Sequence, residues 1–265
     1  MDKKYTLKNF KKIYFVVLKY LYAKILLKGL IKMEKQKILE QKIREWGASL
    51  VGFSNLTGIL PDTLSDIPYA ITVVIKLADR IVDEIENKPT HTYYHHYRSV
   101  NTLIDQITLK TVLLLEEWGY KALAVPASQS IADLGEYRGL FPHKTAATRA
   151  GLGWIGKNGL LVTEKYGPRV RLGTVLTNMP FETGTPITES KCGSCKLCVD
   201  ACPAMALYGT LWKEGMPREE IVDARACSEY MNKKFKHIGR GYVCGICMEV
   251  CPYGRKKSVD RLKGF

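Results

Sequence analysis

The sequence predicts an α/β (α+β) body followed by a C-terminal ferredoxin-like segment with two iron–sulfur clusters. Two observations carry this. From Met33 to about residue 187 the hydrophobic pattern alternates between helical and strand periods. All eight cysteines then fall inside residues 192–251. The domains expected on this basis are a basic N-terminal helix over 1–32, an α/β cofactor and substrate domain over 33–187, and a cluster domain over 188–265.

Residues 1–32 hold nine lysines and one aspartate, a net of +8 out of +14 for the 265-residue chain. Lysines alternate there with Tyr, Phe and Leu. Lys19, Lys24 and Lys28 interrupt every apolar run well before the ~20 residues that a membrane span needs. The segment does not read as a signal peptide, since it has no clean apolar core and no small-residue cleavage site. Three readings stay open: an interfacial helix on an anionic membrane, a helix packed on the body, and an upstream start with Met33 as the true beginning.

The body follows element by element. Residues 34–46 place Ile38, Leu39, Ile43 and Trp46 on one helical side, and Gly47 closes that helix. Ala48–Phe53 reads as a short strand. Ala70–Leu77 is a β-branched run and the best strand in the chain. Val100–Trp118 is a long amphipathic helix closed by Gly119. Lys121–Val125 is a strand stopped by Pro126, His143–Ala150 is helix-like, and Val170–Thr177 is a further strand. A strictly doubly wound sheet is not implied.

The cysteines carry the chemistry. Cys192-Gly-Ser-Cys195-Lys-Leu-Cys198-Val-Asp-Ala-Cys202-Pro203 is a complete C-x2-C-x2-C-x3-C-P run. Cys244-Gly-Ile-Cys247-Met-Glu-Val-Cys251-Pro252 repeats part of it, and Cys227 stands between. In this pattern three thiolates wrap one cubane, and the fourth, beyond the loop, ligates the other cluster. The partition is then Cys192, Cys195, Cys198 and Cys251 on one [4Fe–4S] cluster. Cys202, Cys227, Cys244 and Cys247 hold the second, with none left over. A disulfide framework would call for a small secreted chain with scattered cysteines. Structural zinc is the more serious rival, but this spacing is not that of a zinc ribbon.

The run Gly151-Leu-Gly153-Trp154-Ile-Gly156-Lys157-Asn158 matches a dinucleotide fingerprint literally. It follows a helix rather than a strand and lacks the acidic residue downstream, so that reading is rejected. Its glycines offer close backbone approach to something large and flat, and Lys157 and Asn158 offer donors. The alternative, a turn serving chain geometry alone, is equally weighted. His91–Arg98 is dense in His and Tyr and reads as an aromatic site wall or a helix start.

Taken in order, several stretches resemble the epoxyqueuosine reductase family, cobalamin-dependent iron–sulfur enzymes of queuosine tRNA modification. These are Tyr94-His95, the run Arg149–Asn158, Tyr166-Gly167, Leu176-Thr177-Asn178, Pro180-Phe181-Glu182 and Cys192-Gly-Ser-Cys195. The likeness runs from about residue 36 to residue 255. It implies a nitroreductase-like body, shared with reductive dehalogenases, that holds base-off cobalamin against a two-cluster domain. Electrons pass through the clusters to cobalt and on to a substrate that loses oxygen or halogen. The resemblance also implies that all eight cysteines are ligands. Gly151, Gly153, Gly156, Lys157 and Asn158 would lie beside the cofactor, with His143 and Lys144 lining the same cavity.

The family's catalytic acid is an aspartate upstream of the glycine loop. Ungapped counting lands on Tyr137 and an insertion makes it Asp133, so both stand as candidates, with His143 beside them. Fuller family members continue well past the clusters, whereas this chain ends at Phe265, as a short paralogue would. That difference, with a net of only +6 outside residues 1–32, counts against tRNA as substrate. The resulting expectation is a cytoplasmic oxidoreductase, peripheral on the inner membrane face through residues 1–32. It would be supplied by an external one-electron donor of ferredoxin or flavodoxin type. The alternative is an electron carrier or corrinoid-reducing partner with no small substrate of its own.

Overall fold

A computed structural model describes Lys24, residues 29–30 and 32–131, Asp133, and residues 137–239 and 242–254. Most of the basic run expected to form a helix over 1–32 lies outside the described residues. Two compact units divide the chain, Met1–Lys42 and Ile43–Phe265. The described part of the first is helical, in α1 (residues 32–45). Leu39 and Ile43 of α1 are fully buried, four residues apart on one side, as the period required.

Along the chain follow β1 (Leu50–Asn55), β2 (Tyr69–Lys76), α2 (Asp79–Val82), α3 (His91–Glu117), β3 (Ala122–Val125) and α4 (His143–Arg149). Then come β4 (Trp154–Ile155), β5 (Leu161–Val162), β6 (Val170–Thr177), α5 (Leu197–Asp200), α6 (Ala224–Gly239) and α7 (Ile246–Glu249). The main sheet has the order β1-β2-β6-β3 with every neighbouring pair antiparallel. The body is therefore α+β rather than doubly wound.

Residues 70–75 of β2 are all buried, because helices cover both faces of this central strand. On one face α3 packs so closely that a Cβ at Gly173 would sit 2.4 Å from Ile104. On the other lies α4, and a Cβ at Gly52 would sit 2.8 Å from Ala150, just past its end. Leu56, Ile67, Ala70, Val125, Phe141, Ala146 and Leu176 form the core on the α4 side.

Past α1, two starts differ from expectation by more than one residue. β1 starts two residues later than Ala48. α3 begins at His91 rather than Val100, because Thr90 caps it, its side-chain oxygen accepting from the Tyr93 N–H at 3.0 Å. The His/Tyr-rich stretch is thus the opening of a helix.

Candidate metal centre

Helix ends and tight turns set out the cysteines. The Cys195 N–H donates to the Cys192 carbonyl at 3.2 Å, closing the first turn. Cys198 lies on α5, and Cys202 just beyond it donates its N–H to Val199 at 3.1 Å. Cys227 is on α6 and Cys247 on α7, which Gly245 opens with a left-handed φ of 87°. None of the eight is in a disulfide.

Cys192, Cys195, Cys198 and Cys251 line one cavity, together with Lys157, Asn158, Val162, Pro252 and Tyr253. The remaining four also lie together: Cys227 feels the thiols of Cys244 and Cys202, and Cys247 those of Cys244, Cys227 and Cys202. Cys198 bears on Cys247 as well, so the two sets adjoin there. Burial pushes the Cys198, Cys227 and Cys251 thiols up to about 11, and raises Cys247 well above its ordinary value. Among the described residues no three His, Cys, Asp or Glu side chains converge closely enough to hold a single metal ion. The first set instead surrounds a cavity.

The body grips this segment through the glycine loop. That run leads into β4 and the turn of a β4–β5 hairpin, with Trp154 opposite Val162 and Ile155 opposite Leu161. Lys157, buried, donates its ammonium to the carbonyls of Gly193 at 2.8 Å and Cys195 at 3.0 Å. Asn158 Nδ2 donates to the Cys247 carbonyl at 3.3 Å. These side chains were expected to donate to a cofactor, but they hold one loop from each cysteine set. The glycines likewise face the protein itself. A Cβ at Gly153 would meet the Val162 carbonyl at 2.3 Å, one at Gly156 the Asn158 Oδ1 at 2.7 Å, and one at Gly151 the Thr185 carbonyl at 2.6 Å.

The other expected site residues fall as follows. His143 Nε2 donates to the Pro126 carbonyl at 3.0 Å, so its Nδ1 accepts from the Thr174 hydroxyl at 2.9 Å. With both nitrogens engaged and burial lowering its pKa to about 4, it is a neutral structural side chain rather than a proton donor. Lys144 Nζ donates to the Gly159 carbonyl at 2.5 Å. Tyr137 is exposed with a left-handed φ of 57°, and Asp133 is exposed. Nothing described brings either of them to the cysteines.

Two contributors escaped the sequence reading. Tyr253 lies edge-on to the buried Trp154, ring centres 4.9 Å apart, and its hydroxyl donates to the Lys191 carbonyl at 3.0 Å. Its position directly after Cys251-Pro252 was an available signal. Arg218, whose Nη1 donates to the Tyr137 carbonyl at 2.8 Å, had none.

Residues 191–254 match the family model of the 4Fe-4S double cluster binding domain. An epoxyqueuosine reductase of Listeria monocytogenes is 38% identical over 146 residues, which are 54% of this chain and 36% of the relative. One of Bacillus subtilis is 34% identical over 140 residues, 49% of this chain and 33% of the relative. In sequence, the chain is similar to the epoxyqueuosine reductases. The matches span about a third of the length of these relatives.

The fold is shared with an epoxyqueuosine reductase from Streptococcus thermophilus, at TM-score 0.59 and 21% identity over 84% of this chain and 67% of that one. It is shared too with a catabolic reductive dehalogenase in complex with 3-bromo-4-hydroxybenzoic acid, at TM-score 0.61 and 21% identity over 80% of this chain and 31% of that one. Another reductive dehalogenase structure of this fold is linked to a mechanism for B12-dependent dehalogenation. Among the described residues no helix is long and apolar enough to cross a membrane.

Proposed function

We propose that this protein is an iron–sulfur oxidoreductase that passes single electrons through two [4Fe–4S] clusters. Cys192, Cys195, Cys198 and Cys251 hold one; Cys202, Cys227, Cys244 and Cys247 hold the other. The observation that carries this is the cavity lined by three thiols of one run and the last thiol of the other. Lys157 and Asn158 tie one loop of each set to the body, and the electrostatic influence of Cys198 on Cys247 supports clusters that lie next to each other. Anaerobic reconstitution should yield about eight iron and eight sulfide per chain, as two cubanes require. Two zinc ions per chain, with no charge-transfer absorption, would overturn the reading.

The acceptor we propose is a corrinoid, on the strength of the sequence similarity and of the fold shared with a reductive dehalogenase linked to B12-dependent dehalogenation. The glycine loop adds no support, since its glycines and its Lys157 and Asn158 are engaged within the protein. A corrinoid, when bound, supplies a cobalt centre that takes electrons from the clusters and reduces a substrate by loss of oxygen or halogen. Tyr137 or Asp133 supplies the proton. Titrating cobalamin into the cluster-loaded protein tests this through the corrinoid spectrum. With no spectral change and no affinity, the electron-carrier alternative stands instead. Replacing Tyr137 with Phe should spare both cofactors and slow only turnover; if Asp133→Asn does so instead, the proton role moves there.

The electron source is proposed to be a ferredoxin- or flavodoxin-type donor, to be checked by reduction of the clusters with either protein. The +8 of residues 1–32 further suggests contact with anionic membrane. Equal flotation of the full chain and a chain starting at Met33 on anionic liposomes would remove that role.

A further inference from the structure

A cationic corner lies between the first turn of α4 and residues 217–219, and the clusters do not use it. Lys144 is partly accessible yet densely surrounded, and its ammonium has one described acceptor, the Gly159 carbonyl at 2.5 Å. No carboxylate pairs with it among the described ion pairs. Arg218 extends toward it from the cysteine-bearing half of the chain. Its Nη1 donates to the Tyr137 carbonyl at 2.8 Å and its Nη2 to Glu219 Oε1 at 2.9 Å, while its Nε is buried with no acceptor. Arg138 reaches the same Glu219 oxygen at 3.2 Å. Glu219 therefore serves the two arginines, and no described carboxylate is left for Lys144.

The contrast with Lys157 is informative. Lys157 is buried, and two carbonyls take its ammonium protons and tie down a loop. Lys144 has one carbonyl and a second cation close by. Burial and the Arg218 charge together lower its pKa to about 8. Holding like charges together in a partly buried corner costs free energy unless an anion joins them. A charge-assisted contact with an oxyanion recovers that cost and is among the stronger polar interactions available.

We propose that Lys144 and Arg218 together bind an oxyanion, a phosphate or carboxylate group carried by a ligand seated beside Tyr137. Binding gives Arg218 Nε the acceptor it lacks and gives the Lys144 ammonium a counter-charge. The proposal goes beyond the cluster reading and does not need a corrinoid. The oxyanion belongs either to a cofactor, as the phosphodiester of its nucleotide tail, or to the substrate.

The test uses cluster-loaded protein without corrinoid and needs no variant at first. The protein is trace-labelled with acetic anhydride, with and without orthophosphate or benzoate. Acetylation of Lys144 is read by mass spectrometry against exposed Lys88. At an anion concentration about ten times the Kd, labelling of Lys144 should slow about tenfold by mass action, while Lys88 is unaffected. Arg218→Gln should abolish the protection and Arg218→Lys should keep part of it, with iron content unchanged in both. Protection by hydroxocobalamin assigns the oxyanion to the cofactor; protection by phosphate or benzoate that persists beside it assigns it to the substrate. Labelling of Lys144 that neither anion nor hydroxocobalamin changes would overturn the site, as would protection undiminished in Arg218→Gln. Failure of the cluster reading would show separately, as missing iron.

Discussion

Lys157 donates its ammonium to the main-chain carbonyl of Cys195 at 3.0 Å, so a body residue fixes the turn that carries two of the cysteines. The same ammonium takes the Gly193 carbonyl at 2.8 Å. A loop that presents thiols to a cluster gains from having its backbone set in advance, since no cluster bond has to order it.

Replacing Lys157 with Met keeps the apolar stem and removes the donor. Two part-buried carbonyls then lose their partner, at about 0.5–1.5 kcal/mol for each hydrogen bond lost. The variant should still take up iron on reconstitution but release it several-fold faster to a chelator, and Lys157→Arg should recover part of the difference. Release at the wild-type rate in Lys157→Met would show that the cysteine turn holds its own shape.

Gly167 is where the chain just after Cys251 crosses the body. Its φ is +55°, and a Cβ there would lie 1.9 Å from the Tyr253 carbonyl, which is backbone and cannot swing away. Gly193 offers an internal control, with φ +53° and nothing within 4 Å of a Cβ. Gly193→Ala should therefore cost only backbone strain, about 1 kcal/mol. Gly167→Ala adds a displacement of residues 253–254 and should lower the denaturant midpoint far more, with loss of iron. Similar midpoints for the two variants would mean that this crossing is not rigid.

His143 gives the chain a pH dependence whose sign follows from its lowered pKa. Above pH 6.5 the ring is neutral in both folded and unfolded chains. Between 6.5 and about 4 the unfolded chain binds the proton and the folded one does not, so stability falls as pH drops. Below about 4 the loss is complete, at most roughly 3 kcal/mol for a shift of this size. His143→Gln keeps a polar side chain without the titration. It should be less stable than wild type at neutral pH, with the gap closing toward pH 4. Parallel loss of stability in the two proteins across that window would remove His143 as its source.

Much of this arrangement could be read from the sequence, for reasons specific to each part. β6 matches its expected limits, and β2 is shifted by only one residue, because each is an eight-residue run of strand formers between turn signals. The cysteine runs are legible because cluster ligation is set by local spacing. The first two turns of α3 were not, since His and Tyr carry no clear apolar period and the deciding group is the Thr90 cap. In the glycine loop, spacing left open whether something approaches closely or the glycines only serve a turn. Only the fold shows that the visitor is the Val162 carbonyl across a hairpin. The meeting of Lys144 with Arg218 joins residues far apart in the chain, and no local pattern encodes it.

The crossing of the two cysteine runs makes a prediction about pairs of substitutions. Cys251 lines the cavity of Cys192, Cys195 and Cys198, although its nearest cysteine in sequence is Cys247. Cys202 bears on Cys227, Cys244 and Cys247. Cys251→Ala should remove one cluster, about half of the iron, and so should Cys202→Ala. Residues that serve one cluster act as a unit, so their losses do not add. The double variant of Cys251 and Cys192 should keep as much iron as either single one, whereas that of Cys251 and Cys202 should lose nearly all. If each complete run instead held its own cluster, Cys192 with Cys202 would be the pair whose losses overlap. Iron content and the spin count of the reduced protein, measured on these single and double variants, separate the two arrangements without reference to turnover.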